Sequence, residues 1–546
     1  MRTFLLLLTV ALLGGCAYKH LDADLVVHNA IIHSLDEGDS TFQAMAVRDG
    51  RIIEMGPEHQ ILNKYQAKEV YDAAGQHVYP GFTDGHCHFL GYGLNEQKVD
   101  LSGTKWWNEV IDRTVAFAEA HPGDGWILGR GWDQNDWPMK VMPDNALLNQ
   151  RFPDRPVLLQ RIDGHAAVVN DAAIRRVGLR TDSAIAGGLI EVRDGKATGL
   201  LLDNAVSIFQ TIFDEADEAT KRKALLDAQA DCFAVGLTGV HDAGLDTGTI
   251  ALMARMQQEG SLKMRVYAMV ADTPENLAHF AAKGPVKTER LIVRGVKVYA
   301  DGALGSRGAL LKAPYADQHH HHGLQLASRE HFLEVAKWCK EHGFQMNTHC
   351  IGDSANKLLL DVYGEVLGGT NDLRWRIEHA QVVSPDDRAR FASYNIIPSV
   401  QPTHATSDGP WAEERLGKER IGHAYAYEDL RKQLGLLALG TDFPVEGIDP
   451  MATFTAAVAR APRSLASDAP SIYPYVPEQA LSRADALRGM TLWNAIASFQ
   501  ENDLGTLDAG KLADFTVVNV DLEKVPAEAL HLAKVTATFI NGERVH

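Results

Sequence analysis

Eight apolar, strand-like runs recur between residues 78 and 445: VYPGFTDGHCHF, GLTGVHDAG, KMRVYAMV, LIVRGVKVYADG, FQMNTHCIGD, RWRIEHAQVV, NIIPSVQPTH and LGLLALGTDFPV. Helical stretches such as GTIALMARMQQEG and HFLEVAKWCKEHG alternate with them. Apolar strands separated by helices belong to a parallel sheet, because the crossover helices cover its faces. Eight such units suggest a closed barrel. A barrel also suits a chain of 546 residues, which is too long for most single cores. The expected fold is α/β, a TIM-like (β/α)8 barrel over residues 81–500.

The two ends of the chain differ from the middle. ADLVVHNAIIHSL, FQAMAVRDGRIIEMG and QHVYPGF are short β-rich runs broken by turn signals such as Asp49-Gly50. GTLDAGKLADFTVVNVD and VTATFINGERVH have the same character, with Asn541-Gly542 as a hairpin turn. Residues 16–80 and 501–546 are therefore expected to pair into one small flanking β-sandwich. A long insertion, residues 91–231, separates the first barrel strand from the second. It is rich in tryptophan (Trp106, Trp107, Trp126, Trp132, Trp137) and is expected to cover the active site.

Residues 1–15 read as a secretory signal, in which Arg2 precedes an apolar run too short to span a bilayer comfortably. Its ending, Leu13-Gly14-Gly15-Cys16, resembles a bacterial lipobox. That resemblance implies lipidation of Cys16 and a membrane anchor; a plain cleaved signal is the alternative. Ala17 stands where aspartate would be the inner-membrane retention signal, so in a Gram-negative source the resemblance favours the outer membrane with the body in the periplasm. The net charge of 53 − 71 = −18 argues against nucleic acid as the partner, since phosphate binding needs a basic surface. Five scattered cysteines are too few for a disulfide framework. A small-molecule substrate is expected, and a homo-oligomer is left open.

Barrels of this type keep their active sites at the C-terminal ends of the strands. The first strand ends in His86 and His88. Side chains two apart on a strand face the same way, so both imidazoles can point into the barrel mouth while Cys87 points toward packing. His349, His379 and Asp442 close the fifth, sixth and eighth runs. Four histidines and a carboxylate at strand ends suit the nitrogen and oxygen donor set of zinc, with manganese, iron and nickel as alternatives. Lys297 sits in an apolar strand, where burial lowers its pKa and frees the amine.

PGFTDGHCHF, GRGWDQNDW, RIDGHAAVVN, VYADGALGSRGA, THCIGD, RIEHAQ and GTDFPV together resemble the metal-dependent amidohydrolase superfamily. Within it they resemble amidohydrolase family 3, which includes N-substituted formamide deformylases. The resemblance implies one or two divalent metal ions. His86 and His88 would bind the more buried metal, and His349 and His379 the second. Lys297 would carry a carbamate bridging both, although a mononuclear site with an ion-paired Lys297 is the alternative. Asp442 would bind the buried metal and move the proton. Asp163 and His165 would touch substrate from the insertion, with a structural hydrogen-bonded loop as the other reading. Arg307 and His404 could aid substrate binding, or serve as a local ion pair or cap.

The chemistry implied is hydrolysis of carbon–nitrogen bonds other than peptide bonds, in amide or N-acyl and N-formyl small molecules, by a metal-activated hydroxide. Deamination of a heterocycle and ester or lactone hydrolysis are rival enzymatic readings. Lys297 weighs against the deaminase, whose relatives often use one metal without a bridging lysine. A lipoprotein that binds metal or ligand without catalysis is the rival from another class, and Asp442 argues against it.

Overall fold

The computed structural model describes residues 20–95, 98–180, 185–209, 216–463 and 475–546. The signal segment and Cys16 lie outside the described residues.

The central sheet contains the eight expected strands in chain order, all parallel: β1 (Phe82–Cys87), β2 (Leu237–Leu245), β3 (Arg265–Ala271), β4 (Leu291–Tyr299), β5 (Gln345–Cys350), β6 (Arg376–His379), β7 (Ile397–Val400) and β8 (Ala438–Leu439). Strand β8 has two residues, so the barrel is closed beyond the ladder. The Asp442 amide donates to the His86 carbonyl at 2.8 Å, and the His88 amide to the Phe443 carbonyl at 2.8 Å. Buried Asp84 completes the seam by accepting from the Thr441 amide (3.1 Å) and hydroxyl (2.7 Å). Helices such as Arg329–His342 and Asp353–Leu367 pack their apolar faces outside the strands, in one core that also buries Cys87, Cys232, Cys339 and Cys350. These four cysteines are free.

The chain ends meet beside the barrel. Strand Phe515–Val518 pairs antiparallel with His77–Pro80, in the six-stranded sheet that also holds Ile31–His33 and Val535–Ile540. A four-stranded sheet from residues 21–72 packs on it through Leu25, Val27, Ile32, Val78, Phe515 and Phe539. A buried ion pair, Arg265 with Asp514, ties the C-terminal segment to β3 (Nη2 to Oδ1, 2.9 Å).

The insertion has a six-stranded sheet of its own between Val99 and Asp203. Trp132 and Trp137 are buried in its core, whereas Trp106 is exposed. The chain returns through helix Glu218–Ala234, which lies against helix Phe89–Asn95. Gly93 permits that contact: a Cβ there would stand 2.0 Å from the Ala224 carbonyl oxygen.

Candidate metal centre

Asp442 is the hub of the barrel mouth. Its Oδ1 lies 3.3 Å from His88 Nε2 and 3.6 Å from His86 Nε2; its Oδ2 lies 3.9 Å from His404 Nε2 and 4.0 Å from His379 Nδ1. Two groups of three side chains could each hold a cation: His86, His88 and Asp442, and His379, His404 and Asp442. Burial alone would raise the Asp442 carboxyl, but contact with His88 and the neighbouring His86 and His379 hold it well below the usual carboxylate range.

Strand geometry explains the convergence. His86 is fully buried and His88, just past the strand end, is partly exposed; their rings lie 5.8 Å apart. Cys87 points into the hydrophobic core. On β6, alternation turns Arg376 and Glu378 to one face, and both are buried. His379, one residue on, reaches the mouth because the strand ends there in the left-handed region, with φ 70° at His379 and 41° at Ala380. Asp442 has φ 63°. Non-glycine residues held at positive φ cost free energy and concentrate at functional sites.

Lys297 is buried on β4, with Nζ 3.0 Å from His86 Nε2 and 4.8 Å from the centre of the Tyr299 ring. Burial brings its pKa down to about 8. The His349 ring lies 4.5 Å from that of His379, although His349 belongs to neither cation-holding triad. His404, a candidate substrate contact from the sequence, lines the cavity and also joins His379 around Asp442.

The side chains fit a metal. His349 Nε2 and His404 Nε2 are buried without a hydrogen-bond partner, and both residues line the cavity. Buried polar atoms are normally paired, and an absent ion is one explanation for such exceptions. Burial lowers His86 to about 4 and holds His349 and His379 well below the ordinary imidazole value, so all three present neutral rings. Metal ligation requires that form. The outer ring nitrogens of His86 and His88 are held as well: His86 Nδ1 lies 2.6 Å from Glu378 Oε2, and His88 Nδ1 lies 3.2 Å from the Ala243 carbonyl. Such outer contacts fix the tautomer and aim the other nitrogen at the metal.

Several partners escape a reading of the sequence. Glu378 links His86 to Arg376, whose Nη2 donates to it at 3.0 Å and also to the Ser399 hydroxyl. Arg376 Nη1 is 3.0 Å from His241 Nδ1, which places His241 beneath the metal ligands. Asp301 accepts from the amides of Ile351 and Gly352 at 3.0 and 2.8 Å, and so braces the loop after His349. Alternation puts Glu378 and Arg376 on one face of β6, but their contacts to His86 and His241, and those of Asp301 to the Ile351 and Gly352 amides, join residues far apart in the chain.

A cavity of about 1060 Å³ opens above the ligands. The insertion contributes Arg130, Asp163 and His165 to its lining. His165 Nδ1 lies 2.9 Å from Asp203 Oδ1, and its ring is 5.0 Å from that of His349. Asp163 accepts from the His165 amide and pairs with Arg161. It therefore both faces the cavity and orders its loop. Arg307 is elsewhere: it pairs with Asp317 at 2.8 Å and is absent from the cavity lining, so it acts as the local ion pair. Of the 319–322 histidines, His321 and His322 contact the carbonyls of Arg307 and Leu311 in the loop after β4.

The family model "Amidohydrolase family" matches residues 69–546. The chain is 32% identical to the putative amidohydrolase YtcJ of Bacillus subtilis (strain 168), over 95% of this chain and 98% of that protein. It is 26% identical to the N-substituted formamide deformylase of Arthrobacter pascens, over 95% of this chain and 97% of that protein. Among solved structures, an uncharacterized metal-dependent hydrolase from Pyrococcus horikoshii OT3 superposes with a TM-score of 0.75 at 28% identity, covering 92% of this chain and 99% of that one. The chain belongs to the amidohydrolase family, within the superfamily of metal-dependent hydrolases.

Proposed function

We propose that the chain hydrolyses carbon–nitrogen bonds other than peptide bonds in small molecules, with N-acyl or N-formyl amines as substrates. The observation that carries this reading is Asp442, a buried carboxylate held ionised among His86, His88, His379 and His404 at the floor of a large cavity. A divalent cation, with zinc favoured by the histidine-rich donor set, supplies Lewis acidity toward water and the substrate carbonyl. Asp442 accepts the proton of the attacking water and delivers it to the departing amine, as base and then acid. Glu378 keeps His86 oriented, and His165 and Asp163 contact the substrate from the insertion. Lys297 is the candidate carbamate: its amine is buried beside His86, and burial favours the uncharged form that reacts with carbon dioxide. The similarity to the formamide deformylase supports the amide class. A lipid anchor at Cys16, with the body at the outer membrane facing the periplasm, is a separate proposal that rests on the lipobox-like Leu13-Gly14-Gly15-Cys16 ending.

A panel of N-formyl and N-acyl amines, scored by release of the free amine, tests the proposal. The metal-loaded chain should turn over at least one member, and Asp442→Asn should abolish that turnover with the fold intact. Wild-type rates in Asp442→Asn would remove the proton role. Saturable binding without hydrolysis across the panel would favour a binding protein.

A further inference from the structure

A third group of metal-ligating side chains lies outside the barrel, where the two chain ends meet. The ligand atoms of His33, His77 and Asp521 all lie within 4.8 Å of one another. The sheet register brings them together. Ile31 and Ile32 pair in parallel with His77 and Val78, which sets His33 opposite Tyr79. His77 and Tyr79 are two apart on their strand and share a face. The His33 ring accordingly stacks on Tyr79 at 4.5 Å and 10°, and faces His77 at 5.3 Å. The Tyr79 hydroxyl accepts from the Leu522 amide at 2.9 Å, which pins the 521–523 segment against the two imidazoles.

The inner contacts have the dimensions of a ligand set. His33 Nε2 lies 3.0 Å from His77 Nδ1, close to the separation of about 3.3 Å between two nitrogens bound to one tetrahedral zinc at about 2.0 Å. The outer nitrogen of His33, Nδ1, lies 3.2 Å from Glu523 Oε2. That carboxylate–histidine arrangement matches His86 with Glu378 in the barrel, and it is the one that orients metal-bound imidazoles. Asp521 Oδ1 accepts from the Glu523 amide, and Oδ2 contacts the exposed Lys524 ammonium at 3.0 Å. On the Asp521 side, a cation would displace that surface lysine.

We propose that His33, His77 and Asp521 form a structural site for a divalent transition metal such as zinc, with Glu523 orienting His33. The ion would exchange the His33–His77 hydrogen bond for two metal bonds, and the imidazole that donates that bond would shift its proton to the nitrogen that faces away, so that both rings bind as neutral ligands. It would tie residues 31–33 and 77–80 to the C-terminal 519–525 segment. A clip across so long a loop constrains the unfolded chain more than a local contact does. The inference does not rest on any activity of the barrel.

Zinc per chain is measured after equilibrium dialysis of the full chain, comparing wild type with His77→Gln and Asp521→Asn. Each variant should hold one zinc fewer than wild type, and a zinc-edge anomalous peak should lie among the three side chains. A folded His77→Gln that keeps the wild-type zinc content overturns the proposal. If His77→Gln does not fold, Asp521→Asn is read by the same criterion, because its carboxylate is on a partly exposed segment. Anomalous peaks in the barrel with none beside His33 would likewise overturn it.

Discussion

Replacing Glu378 with glutamine isolates what holds the barrel ligands in place. Glu378 is fully buried, 2.6 Å from His86 Nδ1 and paired with Arg376. Glutamine keeps the shape but removes the charge that both neighbours use. Loss of a partner behind a metal-bound imidazole weakens metal binding about 10–100-fold, which is about 1.4–2.8 kcal/mol. Removing one member of a buried ion pair outright costs about 3–5 kcal/mol of stability, and Glu378→Ala should approach that range while Glu378→Gln stays below it. The pH dependence has a definite sign. Burial opposes the charge on Glu378, but Arg376 and His86 outweigh it and hold its pKa below the ordinary 4.5. Its contribution is therefore present above pH 4.5 and is lost as pH falls through the lower folded value. Zinc affinity by chelator competition, in a His77→Gln background, reads the barrel site alone; urea unfolding at several pH values reads stability. A folded Glu378→Gln with wild-type zinc affinity would refute the reasoning.

Lys297→Ala should lower the barrel metal content, and reactivation of the metal-free wild type by zinc at a fixed concentration of dissolved carbon dioxide should quicken as pH rises through about 8, where the buried amine loses its proton. Undiminished metal in the alanine variant would show that Lys297 is not a bridge. Gly440→Ala should destabilise the barrel seam by about 1–3 kcal/mol, because its Cβ would stand 2.5 Å from the His86 amide nitrogen and 2.6 Å from Asp84 Oδ1; an unchanged urea midpoint contradicts this. Cys16→Ala should move the chain from the membrane to the soluble periplasmic fraction, and a variant that stays on the membrane would contradict the anchor.

The barrel was legible because its strands are buried on both faces and so read as continuous apolar runs between helices. The pair His86 and His88 was legible because period-two alternation is a local property. Glu378 was harder: its partner His86 lies 292 residues away in the chain. The bond from Thr441 to Asp84 spans 357 residues. His404 reads in the sequence as a candidate substrate contact, and the fold places it on the cavity wall, where its approach to Asp442 beside His379 depends on tertiary packing. Arg307 shows the opposite limit, since its motif suggested the site while a carboxylate ten residues on captures it. The pairing of the two ends followed from their β texture, but the meeting of His33, His77 and Asp521 depends on strand register, which that texture does not encode.

The most direct test of the central claim is metal dependence of amide hydrolysis by the full chain. Chelation should abolish release of amine from an N-formyl or N-acyl substrate, and zinc or a related divalent ion should restore it. Turnover that persists in the fully metal-free chain would contradict the account.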